Sequence, residues 1–225
     1  MKRLFIVLIS LVLLSGVAGT AQAISLSALF DGAEMQVDDK LFFNWTLLGE
    51  FSTDPQFDPN YDTIEVTGID IPMNPGLVFN TPGLIVADDN FVDFSFGFSV
   101  LVLDPNLRIK DVSLEFVIAD AVGMGFPIAA IVEDVYADNG DLLASLLVDT
   151  DFFGFEEAEF APQSIIHVEK NILLAGTDIG DFVIVEGFEQ HFSQEEVAAV
   201  PEPATLILLG TGLAGIGFAR RRFSK

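Results

Sequence analysis

Apolar and polar residues alternate with a period of two along much of the central chain. Between residues 94 and 102 every even-numbered position is Phe or Val, whereas the odd-numbered positions are Ser95, Gly97, Ser99 and Leu101. Because successive side chains of a β-strand point to opposite faces, this pattern predicts a strand with one apolar face. Residues 112–118 repeat the pattern, with Val, Leu, Phe and Ile at the even positions. A second strand is therefore predicted there.

Turn-forming residues separate the alternating stretches. Residues 104–106 read Asp-Pro-Asn, and residues 175–181 form a loop rich in Gly and Asp. Residues 138–141 read Asp-Asn-Gly-Asp between two apolar stretches. Because Asn-Gly tolerates positive φ angles, this tetrapeptide predicts a β-hairpin with a type I′ turn.

Many short strands between turns, without a convincing amphipathic helix, predict an all-β fold. The expected architecture is an antiparallel β-sandwich of the jelly-roll type. Residues 54–62, which contain Pro55 and Pro59, are predicted to form a long loop. The predicted strands are residues 36–48, 64–69, 77–79, 84–86, 94–102, 112–118, 128–137, 142–148, 165–174 and 182–192.

The N-terminus has the three parts of a secretory signal peptide. Lys2 and Arg3 are positively charged, residues 4–14 are almost wholly apolar, and Ala21 and Ala23 frame an A-x-A cleavage site. Residues 1–23 are therefore predicted to be removed before Ile24, after export by the Sec machinery. A retained N-terminal anchor is the alternative, but the apolar run is short for a span.

The C-terminus has a different composition from the rest of the chain. Pro201, Glu202 and Pro203 are followed by an uncharged stretch, residues 204–219, and then by Arg220, Arg221 and Arg222. Sixteen residues make a helix of about 24 Å, against a hydrocarbon core of about 30 Å. Residues 201–225 thus predict a short, marginal transmembrane helix. A permanent anchor is the alternative, although it leaves the proline pair unexplained.

This C-terminal arrangement resembles the PEP-CTERM sorting tail of exported proteins in Gram-negative, polysaccharide-producing bacteria. The resemblance covers residues 200–222 and includes Pro201, Glu202, Pro203 and the three arginines. It implies processing by an exosortase-like membrane enzyme after transient anchoring in the inner membrane. It also implies a final location at the cell surface or in the extracellular matrix, and an association with exopolysaccharide or biofilm.

The segment between the two ends is strongly acidic. Residues 24–200 contain 33 acidic and four basic residues, which give a formal net charge of −29. Such a charge makes nucleic acid a poor partner and favours divalent cations as counter-ions. The chain has no cysteine, so packing rather than disulfides must stabilise the exported domain. The length and the absence of an internal linker predict one domain over residues 24–200.

The sequence contains no recognisable catalytic constellation. It lacks cysteine, a G-x-S-x-G motif and an H-E-x-x-H motif, and its two histidines are His167 and His191. Both histidines fall on predicted strands, where a solvent-facing position is expected for His167 rather than a place in a triad. No catalytic, cofactor-binding or metal-ligating residue is assigned, and the protein is predicted not to be an enzyme.

Calcium is the only cofactor that the acidic composition favours. Asp149, Asp151 and Gly154 match positions 1, 3 and 6 of an EF-hand loop, but Phe153 and Phe160 occupy positions that require oxygen ligands. That motif fails. Oxygen atoms in the turns at residues 88–90 and 138–141 could serve Ca²⁺ or simply stabilise the turns.

The sequence thus supports a non-enzymatic, exported surface or matrix protein that is sorted through its tail. Two alternatives stay open. The first is a calcium-dependent carbohydrate-binding module, which exposed aromatic residues in a groove would favour. The second is a glycan-acting hydrolase, which two facing carboxylates in a cleft would favour.

Overall fold

The computed structural model describes residues 23–54, 60–151 and 154–197, together with Thr211. The chain divides into two compact units, residues 1–195 and residues 196–225. Of the second unit only Glu196, Val197 and Thr211 are described. The fold presented below is that of the first unit.

The described elements are thirteen strands and one short helix. In chain order they are β1 (Ile24–Ser25), α1 (Leu26–Phe30), β2 (Met35–Val37), β3 (Lys40–Ser52), β4 (Glu65–Ile69), β5 (Gly76–Ala87), β6 (Phe91–Val102), β7 (Leu107–Val122), β8 (Ile128–Ala137), β9 (Leu142–Asp149), β10 (Phe155–Gln163), β11 (Ile165–Ala175), β12 (Phe182–His191) and β13 (Gln194–Glu196). The predicted all-β fold is confirmed.

Two antiparallel sheets form the sandwich. Among the described residues, one sheet has seven strands, in the order β1-β4-β5-β12-β7-β10 with β13 paired to β7. The other has six strands, in the order β2-β3-β6-β11-β8-β9. The connections β5–β6, β7–β8 and β11–β12 each pass from one sheet to the other at the same end of the sandwich. At that end of the seven-stranded sheet, Phe182 pairs with both Ala87 and Val122. At that end of the six-stranded sheet, Ala175 pairs with both Phe91 and Ile128.

The alternation in the sequence corresponds to the two faces of the strands. In β6 the even-numbered residues from Val92 to Val102 are buried, and Asp93 and Ser95 lie on the outer face. The predicted bounds of residues 128–137 match β8. Burial of one face therefore sets the register of these strands, because a shift by one residue would exchange the two rows.

Three local predictions were wrong in detail. Residues 36–48 form two strands, because Asp38, with a φ of 51°, turns the chain between β2 and β3. Residues 77–79 and 84–86 belong to the single strand β5, because the chain continues through a bulge at residues 81–83 opposite Glu186. In this bulge Thr81 Oγ1 donates to the Val185 carbonyl at 2.7 Å. The strand β10 was missed, because its glutamates and Pro162 are typical of loops and are tolerated at a sheet edge.

The hairpin at residues 138–141 was predicted correctly, but its turn type was not. The left-handed conformation falls on Gly140, with a φ of 86°, and not on Asn139. Gly140 N donates to the Ala137 carbonyl at 2.9 Å, and Ala137 N donates to the Asp141 carbonyl at 2.9 Å. A type I turn closed by a left-handed glycine, which produces a bulge, therefore replaces the predicted type I′ turn.

Most of the two predicted processing segments lies outside the described residues. The signal peptide, apart from Ala23, and the sorting tail lie outside the described residues. In the predicted loop of residues 54–62, residues 55–59 also lie outside them. Asn60 begins a turn in which Thr63 N donates to its carbonyl at 2.8 Å. In the part of the chain that is described, no helix is long and apolar enough to cross a membrane.

Aromatic rings fill the space between the sheets. Phe79 of β5 stacks on Phe188 of the neighbouring strand β12, with ring centroids 4.5 Å apart. Phe79 also contacts Phe96 of β6 in the opposite sheet, at 5.8 Å between centroids. All three side chains are buried. Because each buried phenylalanine contributes roughly 1.5–3 kcal/mol, this layer supplies much of the packing energy of a domain without disulfides.

Three polar side chains lie inside the aromatic layer. Lys170 of β11 and Glu133 of β8 are directly opposite each other on paired strands and form a fully buried ion pair. Gln190 of β12, in the other sheet, donates from Nε2 to Glu133 Oε1 at 2.6 Å. Lys170 Nζ lies 5.5 Å from the ring centroid of Phe188 and 6.0 Å from that of Phe79. Polar contacts thus connect the two sheets at the centre of the core.

Burial opposes the charged form of both members of this pair. It raises the pKa of Glu133 and lowers the pKa of Lys170, and the attraction between the two groups offsets each change. Removal of one partner would leave an unpaired group in an apolar core, at a cost of about 3–5 kcal/mol.

We expect Phe96→Ala to destabilise the fold by about 3–5 kcal/mol, because it removes a buried ring at the centre of the aromatic layer and leaves a cavity. Chemical denaturation measures the change. Phe126→Ala is the matched control, since Phe126 is 88% exposed and should change the stability by less than about 0.5 kcal/mol. Equal stability of Phe96→Ala and the parent would contradict the central position of this ring.

Candidate functional site

The predicted processing residues lie at the limits of the described structure. Ala23 is exposed and directly precedes β1, so the chain enters the sandwich immediately after the predicted cleavage site. Ala21, Pro201, Glu202, Pro203 and the arginines at 220–222 lie outside the described residues.

His167 lies on the outer face of the six-stranded sheet, among polar groups. Its Nδ1 is 2.8 Å from the Ser99 hydroxyl, and its Nε2 is 3.5 Å from Asp138 Oδ1. Ser99 is 4% exposed and Asp138 lies in the exposed hairpin turn. The three residue types match those of a hydrolase triad, but a buried hydroxyl offers substrate no access to the nucleophile. The contacts are those of a sheet-face hydrogen-bond network.

His191 lies in the other sheet, so the two histidines do not share a site. Its Nδ1 is 3.3 Å from the Asn74 carbonyl and its Nε2 is 3.6 Å from Glu189 Oε2. These contacts give the ring a structural partner on each side.

An acidic cleft of about 310 Å³ lies between the end of β7 and the β9–β10 connection. Asp120, Asp149 and Asp151 line it, together with Thr150 and backbone atoms of Gly154. Asp151 N donates to Asp149 Oδ1 at 2.8 Å, as in an ordinary turn. Among the residues that the structure describes, no three acidic or histidine side chains come close enough to hold a metal ion.

The other two oxygen-rich turns use their side chains for turn hydrogen bonds. Asn139 Oδ1 accepts from Asp141 N at 3.1 Å, and Asn139 Nδ2 donates to Asp141 Oδ2 at 2.9 Å. Asp88 Oδ1 accepts from Gly180 N at 2.9 Å, and Asn90 Nδ2 donates to the Ala87 carbonyl at 2.9 Å. Turn chemistry therefore accounts for these residues.

The most exposed apolar side chains gather at one end of the sandwich. Met124 and Phe126, on the β7–β8 loop, are 93% and 88% exposed, and Ile179, on the β11–β12 loop, is 80% exposed. Val122 and Phe182, which pair with each other at the ends of β7 and β12, are also exposed. These five residues are called the apolar tip. Single exposed apolar residues are ordinary, but these five lie on adjacent loops at one end of the sandwich.

A buried aspartate braces the two loops of the apolar tip. Asp181 Oδ1 accepts from Gly125 N at 3.0 Å, and Oδ2 accepts from the backbone N–H groups of Thr177 and Asp178 at 2.9 and 3.1 Å. Thr177 Oγ1 in turn accepts from Phe126 N at 2.6 Å. These bonds from Thr177 and Gly125 lower the pKa of Asp181, because they favour the carboxylate.

Glycines permit this close packing of the loops. A Cβ atom at Gly123 would overlap the carboxylate of Asp181, and one at Gly176 would overlap the carbonyl of Asp88. The apolar tip is therefore a preformed structure and not a pair of independent loops.

The chain leaves the sandwich at the opposite end from the apolar tip. Ser193 accepts a backbone hydrogen bond from Lys110 N at 3.0 Å, near the start of β7, whereas the tip lies at the end of β7. Twelve residue steps along β7 separate Lys110 from Val122, which corresponds to about 40 Å of extended strand.

Sequence comparison identifies the tail. Residues 199–222 match the model of the PEP-CTERM protein-sorting motif. The fold and this motif together define an all-β sandwich protein with a sorting signal. The chain is a PEP-CTERM sorting domain-containing protein. The motif implies export, processing by an exosortase-like membrane enzyme and association with the cell surface. No curated protein matches the chain in sequence.

The solved structures that match this chain share little sequence with it. The carbohydrate-binding module TmCBM61, solved with β-1,4-galactotriose, is 16% identical over 68% of this chain and 89% of its own, with a TM-score of 0.28. The Gap123 glycosylation-associated complex from Streptococcus agalactiae is 11% identical over 78% of this chain and 26% of its own, with a TM-score of 0.29. A DUF4465 family protein from Bacteroides caccae is 8% identical over 63% of this chain and 99% of its own, with a TM-score of 0.21. Similarity at this level concerns the fold alone.

We expect Asp181→Asn to lower the melting temperature, because an amide cannot accept all the bonds that the carboxylate accepts. The pKa of Asp181 is lowered in the folded state, so its carboxylate contributes fully to the free energy of unfolding above the ordinary aspartate pKa of about 3.9. This contribution is lost as the pH falls through the pKa that Asp181 has in the folded protein. The difference between the two proteins should therefore shrink below about pH 4. Asp89→Asn, in an exposed turn, is the control, and a difference that stays constant down to strongly acidic pH would contradict the role of the charge.

Proposed function

We propose that the mature protein is a non-enzymatic component of the cell surface or extracellular matrix of a Gram-negative bacterium. The observation that carries the proposal is the PEP-CTERM motif at residues 199–222, which follows the sandwich directly. In this proposal the Sec machinery exports the precursor and removes residues 1–23. The tail then holds the protein in the inner membrane until an exosortase-like enzyme cleaves it.

The surroundings of the two histidines, Ser99 and the Lys170–Glu133 pair support a non-enzymatic role. Ser99 is buried beneath His167, and the two histidines lie in different sheets. The buried pair Lys170–Glu133 is enclosed by aromatic rings and has no route to a substrate. In this proposal the protein acts through its surface and has no resident metal or cofactor.

We further propose that the apolar tip contacts weakly charged exopolysaccharide. Sugar rings present apolar faces that pack on exposed apolar and aromatic side chains, which Phe126 and Met124 supply. The net charge of −29 over residues 24–200 repels polyanionic polymers and a second copy of the chain. The bracing by Asp181 supports this role, because a preformed surface loses little entropy on binding.

The position of the apolar tip agrees with this proposal. The chain leaves the sandwich at the end opposite to the tip. Within the sandwich, the tip therefore lies away from the strand β13 that leads to the sorting motif.

In the native host, replacement of Pro201, Glu202 and Pro203 by alanine should trap the precursor in the inner membrane, because the processing enzyme loses its recognition motif. Cell fractionation with mass spectrometry of both termini measures this outcome. The parent should begin at Ile24 and lack residues 204–225, and Pro105→Ala, in a surface turn, should behave like the parent. Detection of Arg220–Arg222 on the extracellular protein would refute sorting by cleavage.

Replacement of both Met124 and Phe126 by serine should weaken association with isolated exopolysaccharide by a factor of about 5–30, the equivalent of about 1–2 kcal/mol. Co-sedimentation measures binding, and thermal unfolding should remain unchanged because both side chains are exposed. Leu103→Ser, at the opposite end of the sandwich, is the control. Undiminished binding by the double variant would assign the contact to another surface.

A further inference from the structure

Two of the four basic residues of the acidic segment are buried. Lys40 and Lys170 have no exposed side-chain surface, and each contacts one carboxylate. A glutamine completes each group, so that the core holds two clusters composed of lysine, acid and glutamine. The clusters differ in whether the lysine amine contacts the glutamine amide or only the carboxylate.

In the first cluster the amine touches the amide directly. Lys40 Nζ contacts Gln194 Oε1, and it lies 2.7 Å from Asp39 Oδ1. Because Nζ can only donate, the amide must present its oxygen to the lysine. An atom that is hydrogen-bonded to a carbonyl oxygen lies roughly 3.5–4 Å from the carbonyl carbon. The separation of Lys40 Nζ from Gln194 Cδ therefore approaches that of two reacting atoms in a near-attack geometry.

The acid of this cluster has an unused oxygen. Asp39 Oδ2 is buried and has no hydrogen-bond partner among the described residues, although the Asp39 side chain as a whole is 13% exposed. An unpaired carboxylate oxygen is costly when buried. Burial also lowers the pKa of Lys40, against the opposing effect of Asp39, which favours the neutral and nucleophilic amine.

We propose that Lys40 and Gln194 form an intramolecular isopeptide bond after the chain has folded. Asp39 accepts a proton from the Lys40 ammonium, and the free amine attacks Cδ of Gln194 to form the N–C bond. The C–Nε2 bond then breaks as protons move from Nζ through Asp39 to the leaving nitrogen. The products are a neutral amide and an ammonium ion, Asp39 ends as a carboxylate, and no oxidant or further reactant is required.

The bond would join the two sheets covalently at one end of the sandwich. Lys40 begins β3 and Gln194 begins β13, and the two residues are 154 positions apart in sequence. Gln194 also precedes the matched sorting motif at residues 199–222 by five residues. A cross-link here fixes the last strand of the domain in a protein that has no disulfide.

The second cluster serves as an internal control. Lys170 Nζ contacts the carboxylate of Glu133, and Gln190 presents its nitrogen to the other oxygen of that carboxylate at 2.6 Å. The carboxylate therefore lies between the amine and the amide. The same residue types are present, but the nucleophile does not contact the carbonyl group, so no bond is expected there.

Peptide mapping of the purified full-length protein tests the proposal. We expect one branched peptide that joins the Lys40 and Gln194 segments and is lighter than the sum of its two linear peptides by the mass of one ammonia molecule. Trypsin should fail to cleave after Lys40 and should cleave after Lys170. Linear Lys40 and Gln194 peptides from folded protein would overturn the proposal, as would a branched peptide that contains Lys170 or that has lost water instead of ammonia.

Two variants test the roles of the residues. Lys40→Arg keeps a buried cation but removes the nucleophile, and Asp39→Asn keeps the shape of the acid but removes the proton carrier. Both should lose the branched peptide, while Lys170→Arg should keep it. Circular dichroism establishes whether each variant is folded. Asp39 is the least buried residue of the first cluster, so Asp39→Asn still tests the proposal if Lys40→Arg does not fold. A branched peptide in folded Asp39→Asn protein would overturn the assignment of Asp39.

Discussion

The buried contact between Lys170, Glu133 and Gln190 is the constraint on which the rest of the sandwich depends. Lys170 and Glu133 are paired across β11 and β8, and Gln190 reaches them from the other sheet. A one-residue shift of either strand would turn its charged side chain out of the core and leave its partner buried and unpaired, at a cost of about 3–5 kcal/mol. The cluster therefore specifies one alignment of the two sheets within the layer formed by Phe79 and Phe188.

The same arrangement shapes the surface. Because Lys40 and Lys170 are buried, Arg108 and Lys110 are the basic side chains that remain near solvent in the acidic segment. The outer surface is therefore almost uniformly anionic, which favours solubility and disfavours polyanions and self-association. Apolar contacts are then the main attraction available to an uncharged partner. The apolar tip offers such contacts, since Met124 and Phe126 are the most exposed large apolar residues described.

The sequence predicted the strands whose faces differ in polarity, and it failed where another force decides. The alternation in β6 and β8 reports burial directly, so their positions were predicted correctly. The edge strand β10 is stabilised by its pairing with β7, and the sequence of β10 alone does not indicate this pairing. Lys170 and Glu133 did carry a signal, because each occupies an inward position in an otherwise apolar alternation. Their partnership could not be predicted, since it depends on which strands become neighbours. The apolar tip was equally hidden, because Gly123 and Gly125 are typical of any loop.

The two ends of the sandwich have different roles for a physical reason. At the tip, Asp181 satisfies the loop N–H groups and leaves the apolar side chains without partners, so the loops present a surface instead of adding to the core. At the opposite end, Lys40, Asp39 and Gln194 hold the last strand against the first hairpin with buried polar contacts. Any force applied through the C-terminal segment acts first on β13, a strand of three residues whose Gln194 N also donates to the Met73 carbonyl at 3.0 Å. Side-chain attachment at Gln194 adds to this backbone bond in a domain without cysteine.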